Sequence, residues 1–162
     1  MENSRELQSL QGLMIFLGSL ANGLDEVLGK GAASITNRAG RATGLKTPVK
    51  QTEREDVLKA LGLVREAMYD IGIHWDFEPY KKKGQAELFV KEDAGTKVQL
   101  VFRNCMIRSS LFRYGYPQKL SLCVMNHGLF CGFFEQIYGV KANIEIIHAG
   151  ENACLKTLTI GA

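Results

Sequence analysis

With 162 residues, 46% of them apolar and 23% charged, the chain has the length and mix of one globular domain, and residues 1–162 are read as a single unit. A chain of this size buries roughly 70% of its unfolded surface, enough for a full core without disulfides. A net charge of +3, dispersed along the sequence, excludes a nucleic-acid footprint, and no apolar run is long enough to span a bilayer. The N-terminus has no positively charged leader, so the expected compartment is the cytoplasm, where thiols stay reduced.

From Ser4 to Leu28 the residues Leu7, Leu10, Met14, Leu17, Ala21, Leu24 and Leu28 recur every three or four positions, which predicts an amphipathic helix capped by Ser4. Leu13, Phe16, Leu20 and Val27 form a second stripe beside the first. Either the helix is sandwiched within the domain, or one stripe faces the core and the other a second copy in a homodimer. Gly29 to Gly31 breaks this helix, and the run to Gly44 reads as a short helix whose Ala, Ser and Gly positions allow close backbone approach. Neither Gly29-Lys-Gly31 nor Gly44-Leu-Lys46-Thr47 has the spacing or preceding strand of a nucleotide motif.

Thr52 with Glu55 forms a capping-box pattern ahead of an apolar face made by Val57, Leu58, Leu61, Val64, Met68 and Ile71. Strands are predicted near Ile73–Phe77, Ala86–Lys91 and Lys97–Phe102, the last two joined by a turn at Asp93-Ala-Gly95. The basic run Lys81-Lys82-Lys83 falls in the loop between the first two. Cys105 to Tyr114 reads as a connection, and Pro117 suits the first turn of a helix running to Tyr138. That helix is apolar nearly all round and must be buried on most sides. Strands near Ala142–Ile147 and Ala153–Ile160 complete an α+β fold, an antiparallel sheet of four or five strands packed against several helices.

Three of the four cysteines and two of the three histidines fall between Cys123 and Cys154, which suggests a metal site. Cys123, His127 and Cys131 occupy one helical face, while His148 and Cys154 flank a turn. Zinc accepts such donors, and buried cysteines acting as small apolar residues are the alternative.

The blocks Val98–Cys105 leading to Arg108, Cys123 with Gly128, Gly132 and Gly139, and Glu145-x-x-His148-x-Gly150-x-x-x-Cys154 carry a further signal. With the small-residue run Ala33–Gly44, they resemble the 4-vinyl-reductase-like, or hydrocarbon-binding, domain family, which includes the sensory domains of phenol-responsive activators. The resemblance implies a zinc held by a helix cysteine, a strand glutamate and two cysteines around the last turn. Cys123, Glu145 and Cys154 match three of these positions, and His148 stands at the fourth. His127 is the reserve ligand because it lies one helical turn from Cys123.

The resemblance also implies an apolar or aromatic small molecule between sheet and helices. Trp75, Phe77, Phe102, Met106, Phe112, Tyr116 and Phe130 are the candidate lining, with ordinary core as the alternative for each, and Arg103 and Arg108 border them either as anchors for an acidic or phenolic head or as solvated surface charges. The expected function is hydrophobic-ligand binding with a structural zinc. Two other readings stand beside it: an enzyme acting on a vinyl or tetrapyrrole-type substrate, with Glu145 or Glu135 as base, and a dimeric zinc scaffold. No dinucleotide, flavin or iron–sulfur motif supplies a reductant for the enzyme.

Overall fold

The computed structural model describes residues 2–50 and 56–161. Five helices and five strands follow one another as α1 (Glu2–Leu28), α2 (Lys30–Lys46), α3 (Val57–Asp70), β1 (Asp76–Tyr80), β2 (Val90–Glu92), β3 (Gly95–Arg103), α4 (Met106–Tyr114), α5 (Ser121–Tyr138), β4 (Ala142–Ala149) and β5 (Ala153–Ile160). The fold class is the expected α+β, with an open antiparallel sheet ordered β1-β3-β5-β4 and β2 pairing on β3. The C-terminal strand is therefore central, although α4, α5 and β4 lie between it and β3 in the chain.

One face of the sheet is sealed by helices. Phe77, Val98, Leu100, Phe102, Ile144, Leu158 and Ile160 point inward against Leu61, Val64 and Met68 of α3 and against α5. As its composition requires, α5 is buried continuously from Asn126 to Phe134. It meets α2 along glycines. A Cβ on Gly40 or Gly44 would lie 2.0 or 2.4 Å from a carbonyl oxygen of α5, and one on Gly128 or Gly132 would lie 2.1 or 2.4 Å from a carbonyl of α2. The two backbones touch, which is what the small-residue run of α2 provides. Arg41 fastens the seam by donating to Glu135 and to the Ala142 carbonyl, both at 2.6 Å.

Several local expectations shift. Helix α1 already runs from Glu2, so Ser4 lies inside it rather than capping it. The capping box at Thr52 and Glu55 lies outside the described residues. The cap that α3 displays is Asp56, whose carboxylate accepts from the Lys59 amide at 2.9 Å. Strand β1 begins three residues later than Ile73, and β2 spans Val90–Glu92, keeping only Val90 and Lys91 of the expected run. The segment after Cys105 is helix α4, with Cys105 as its N-cap and Gly115 in the left-handed conformation at its end. Pro117 precedes α5, which starts only at Ser121, after Lys119 adopts a positive φ of 69°. Asp25 of α1 receives the Ser121 amide and hydroxyl there, so the helix start is set by a tertiary contact.

Candidate functional site

Two features compete for attention, and they lie on opposite sides of the same stretch of α5. The first is an apolar groove of about 300 Å³. Met14 and Leu17 of α1, Ile73, Met106 of α4, and Leu122 and Met125 of α5 line it, and Thr43 and Asn126 are the polar side chains on its wall. Leu17, Met106 and Met125 are exposed, so the groove opens to solvent. Unbranched methionine can rearrange to fit an irregular guest.

The second feature faces the sheet. Strand β5 alternates Cys154, Lys156, Leu158 and Ile160 on its inner face, and Lys156 is only 4% exposed. Its ammonium nitrogen lies 2.8 Å from His127 Nε2, 4.1 Å from the centre of the Trp75 ring and 4.5 Å from that of Phe102. An ammonium has only protons to offer, so Nε2 accepts and the other imidazole nitrogen carries the hydrogen. Burial, reinforced by the neighbouring ammonium, holds the His127 pKa well below its usual value. Burial likewise lowers Lys156 to about 8, against the opposing pull of Cys105, Cys123 and Cys154. These three thiols come from the α4 cap, the first turn of α5 and β5, and burial raises the pKa of Cys123.

Arg108 completes the cluster. It is buried, with Nη2 donating to the Asn152 carbonyl at 2.9 Å and Nη1 lying 3.8 Å from the Cys154 sulfur. Among the described residues neither Lys156 nor Arg108 pairs with a carboxylate; the ion pairs there involve Arg41, Lys97 and Arg103. The Trp75 indole N–H is buried without an acceptor.

The proposed zinc ligands separate in this fold. Cys154 faces the helices, and Cys123 sits half-buried at the start of α5. Glu145 and His148 are exposed, and they share the outer face of the sheet with their cross-strand neighbours Thr157 and Leu155. Glu145 is outside because it alternates with the inward Ile144. A bulge between Ile146 and His148 puts His148 there too. The set of Cys123, Glu145, His148 and Cys154 is thus divided between the two faces of the sheet. The reserve ligand His127 is engaged by Lys156, and the described residues contain no group of three or more metal-ligating side chains placed to hold a metal. Cys131, the third residue of the helical face, lies by β4, where burial pushes its thiol up to about 12. Glu135, one of the two candidate bases, is tied to Arg41.

The aromatic set divides as well. Trp75, Phe77, Phe102 and Phe130 pack on one another with ring centres 4.3 to 6.1 Å apart, all buried. Met106 lines the groove, Phe112 is half-exposed, and Tyr116 covers Gly18 of α1 and bonds the Ser19 hydroxyl at 2.7 Å. Arg103 is an exposed partner of Glu78. Lys156 escaped the sequence reading, although period-two alternation from Cys154 to Ile160 places it on an apolar face.

No protein-family model matches the sequence, and no curated protein is similar to it. Among solved structures, the chain is similar to the crystal structure of the phenol-responsive sensory domain of the transcription activator PoxR with phenol. The TM-score is 0.59 at 12% sequence identity, over 90% of this chain and 74% of that one. At that identity the likeness is one of fold alone.

Proposed function

We propose that the protein is a binding domain for an apolar small molecule of the hydrocarbon-binding, 4-vinyl-reductase-like type, and that the groove between α1, α4 and α5 receives the ligand. The observation that carries this reading is the groove itself, whose wall is apolar apart from Thr43 and Asn126 and whose volume is at the lower end of small-molecule sites. The shared fold with a phenol-responsive sensory domain supports it. The site differs from the expected one, because the four central aromatics fill their own space and the opening lies beyond Met106 and Leu122. The reading needs no metal.

Assembly as a homodimer belongs to the same proposal. Leu7, Leu10, Leu13, Phe16 and Leu20 of α1 are all more than half exposed, a contiguous apolar face that a second copy would cover.

The test is thermal melting with phenol, p-cresol and 1-octanol. A bound probe raises the melting temperature as its concentration passes Kd. Leu122→Trp, which fills the groove from an already half-buried position, should abolish the rise. No shift with any probe at millimolar concentration, or an undiminished shift in the Leu122→Trp protein, overturns the assignment.

A further inference from the structure

We propose that the ligand carries an oxyanion at one end of its apolar body, best supplied by a carboxylate, and that Lys156 and Arg108 receive it. This inference rests on the binding reading above and specifies the ligand's chemistry. It starts from a surplus of donors. Lys156, Arg108 and the Trp75 indole are all at least nine-tenths buried, and between them they offer two positive charges and one orphaned N–H. The acceptors they meet are the His127 ring nitrogen, the Asn152 carbonyl and the Cys154 sulfur, all neutral or weak.

A buried cation with no anion beside it is costly, and two that repel one another are more so. Elsewhere in this chain a partly buried cation is matched, as Arg41 is by Glu135. An anion entering the cluster would relieve both cations and give the free donors an acceptor.

The cluster lies directly behind the groove. Leu122 and Asn126 line the groove, and the next residues, Cys123 and His127, border Lys156. Met106 lines the groove and Cys105 the cluster; Ile73 lines the groove, and Trp75, two residues on, lies under the Lys156 nitrogen. In this proposal the ligand's body lies along α1 and α5 and its head reaches past Met106 and Leu122 toward the ammonium. The apolar groove supplies affinity for the body, and the charges select the head.

Titration calorimetry with octanoate, 1-octanol and octanamide, on the wild type and on Lys156→Met and Arg108→Met, separates the possibilities. Octanoate should bind wild type about tenfold more tightly than either neutral probe, the scale of one charge-assisted hydrogen bond. Lys156→Met should erase that preference, bringing octanoate down to the affinity of the neutral probes. Equal binding of octanoate and octanol by the wild type, or an octanoate preference that survives both substitutions, overturns the proposal and leaves the groove reading intact. Binding of phenol or p-cresol but of none of the three octyl probes does the same, whereas binding of no probe at all removes both. Should a variant fail to fold, the wild-type comparison of octanoate with octanol decides alone.

Discussion

The two sides of α5 are built to different standards. Toward the sheet, Phe130 closes against Trp75, Phe77 and Phe102 with no exposure, and even the polar group there, Lys156, is wrapped in aromatic rings. Toward α1, Leu122 and Met125 border an open groove, and α1 itself touches the body of the domain through Gly18, Ala21 and Asp25 while Leu7, Leu10, Leu13 and Leu20 face outward. The same helix thus serves as core on one flank and as the wall of a site on the other. Tight packing on the first flank holds the second in place without filling it.

The largest break in this contrast should come from the seam that positions α5. Gly132→Val puts methyl groups where a Cβ alone already lies 2.4 Å from the Arg41 carbonyl, and neither backbone can retreat without pulling α5 off the sheet. We expect a loss of more than about 4 kcal/mol, or no cooperative unfolding transition, by denaturant titration. Phe130→Ala on the sealed flank should cost about 3–5 kcal/mol, whereas Met125→Ala on the open flank should cost less than about 1.5 kcal/mol. Equal costs would show that the flanks do not differ.

Lys156 sharpens the comparison through pH. Its folded pKa, about 8, lies below its ordinary 10.5, so between those values the unfolded chain holds more protons than the folded one and stability rises with pH. The contribution is up to about 3 kcal/mol, gained across pH 8 to 10.5 and absent below 8. Lys156→Met should flatten that rise in urea melts and stabilise the protein at pH 7; a destabilised variant with the rise intact would contradict the burial account.

On the open side, Leu10→Lys with Leu13→Lys should change monomer stability by less than about 1 kcal/mol, because both side chains are already more than half exposed. The same pair should convert dimer to monomer in sedimentation velocity, and a wild type that is monomeric at high concentration would remove the interface. The smallest effect is expected on the outer face of the sheet, where Glu145→Gln or His148→Ala should shift stability by no more than about 0.5 kcal/mol. A larger loss there, together with released zinc, would restore the ligand set that the fold separates.

Much of this was legible from local pattern. The composition from Leu120 to Ile137, apolar nearly all round, predicted a helix buried on most sides, and Asp93-Ala-Gly95 predicted the β2–β3 hairpin. The small residues of α2 predicted a close helix contact, and its partner proved to be α5. Alternation along β4 already set Glu145 opposite Ile144, which argued against Glu145 joining inward-facing cysteines. The misreading of Met106–Tyr114 as a connection has a physical cause. Arg108, Ser109, Ser110 and Arg113 interrupt its apolar residues, and it is held by the Cys105 cap and the inward Arg108 and Leu111.

By itself, then, the sequence determined the kinds of element and the face of each that seeks cover, because periodicity and turn chemistry act over a few residues. Which faces meet was decided by tertiary structure. The one-residue bulge after Ile146 inverts the phase of β4, so that His148 pairs with Leu155 on the outside instead of with Cys154 within. Strand β5, the last strand but lying inside the sheet, carries Lys156 against Trp75, just before β1, and Phe102 of β3, and beside His127 of α5. Register and strand order are settled by pairing between residues far apart in the chain, and the local pattern of either strand is the same whichever way that pairing falls.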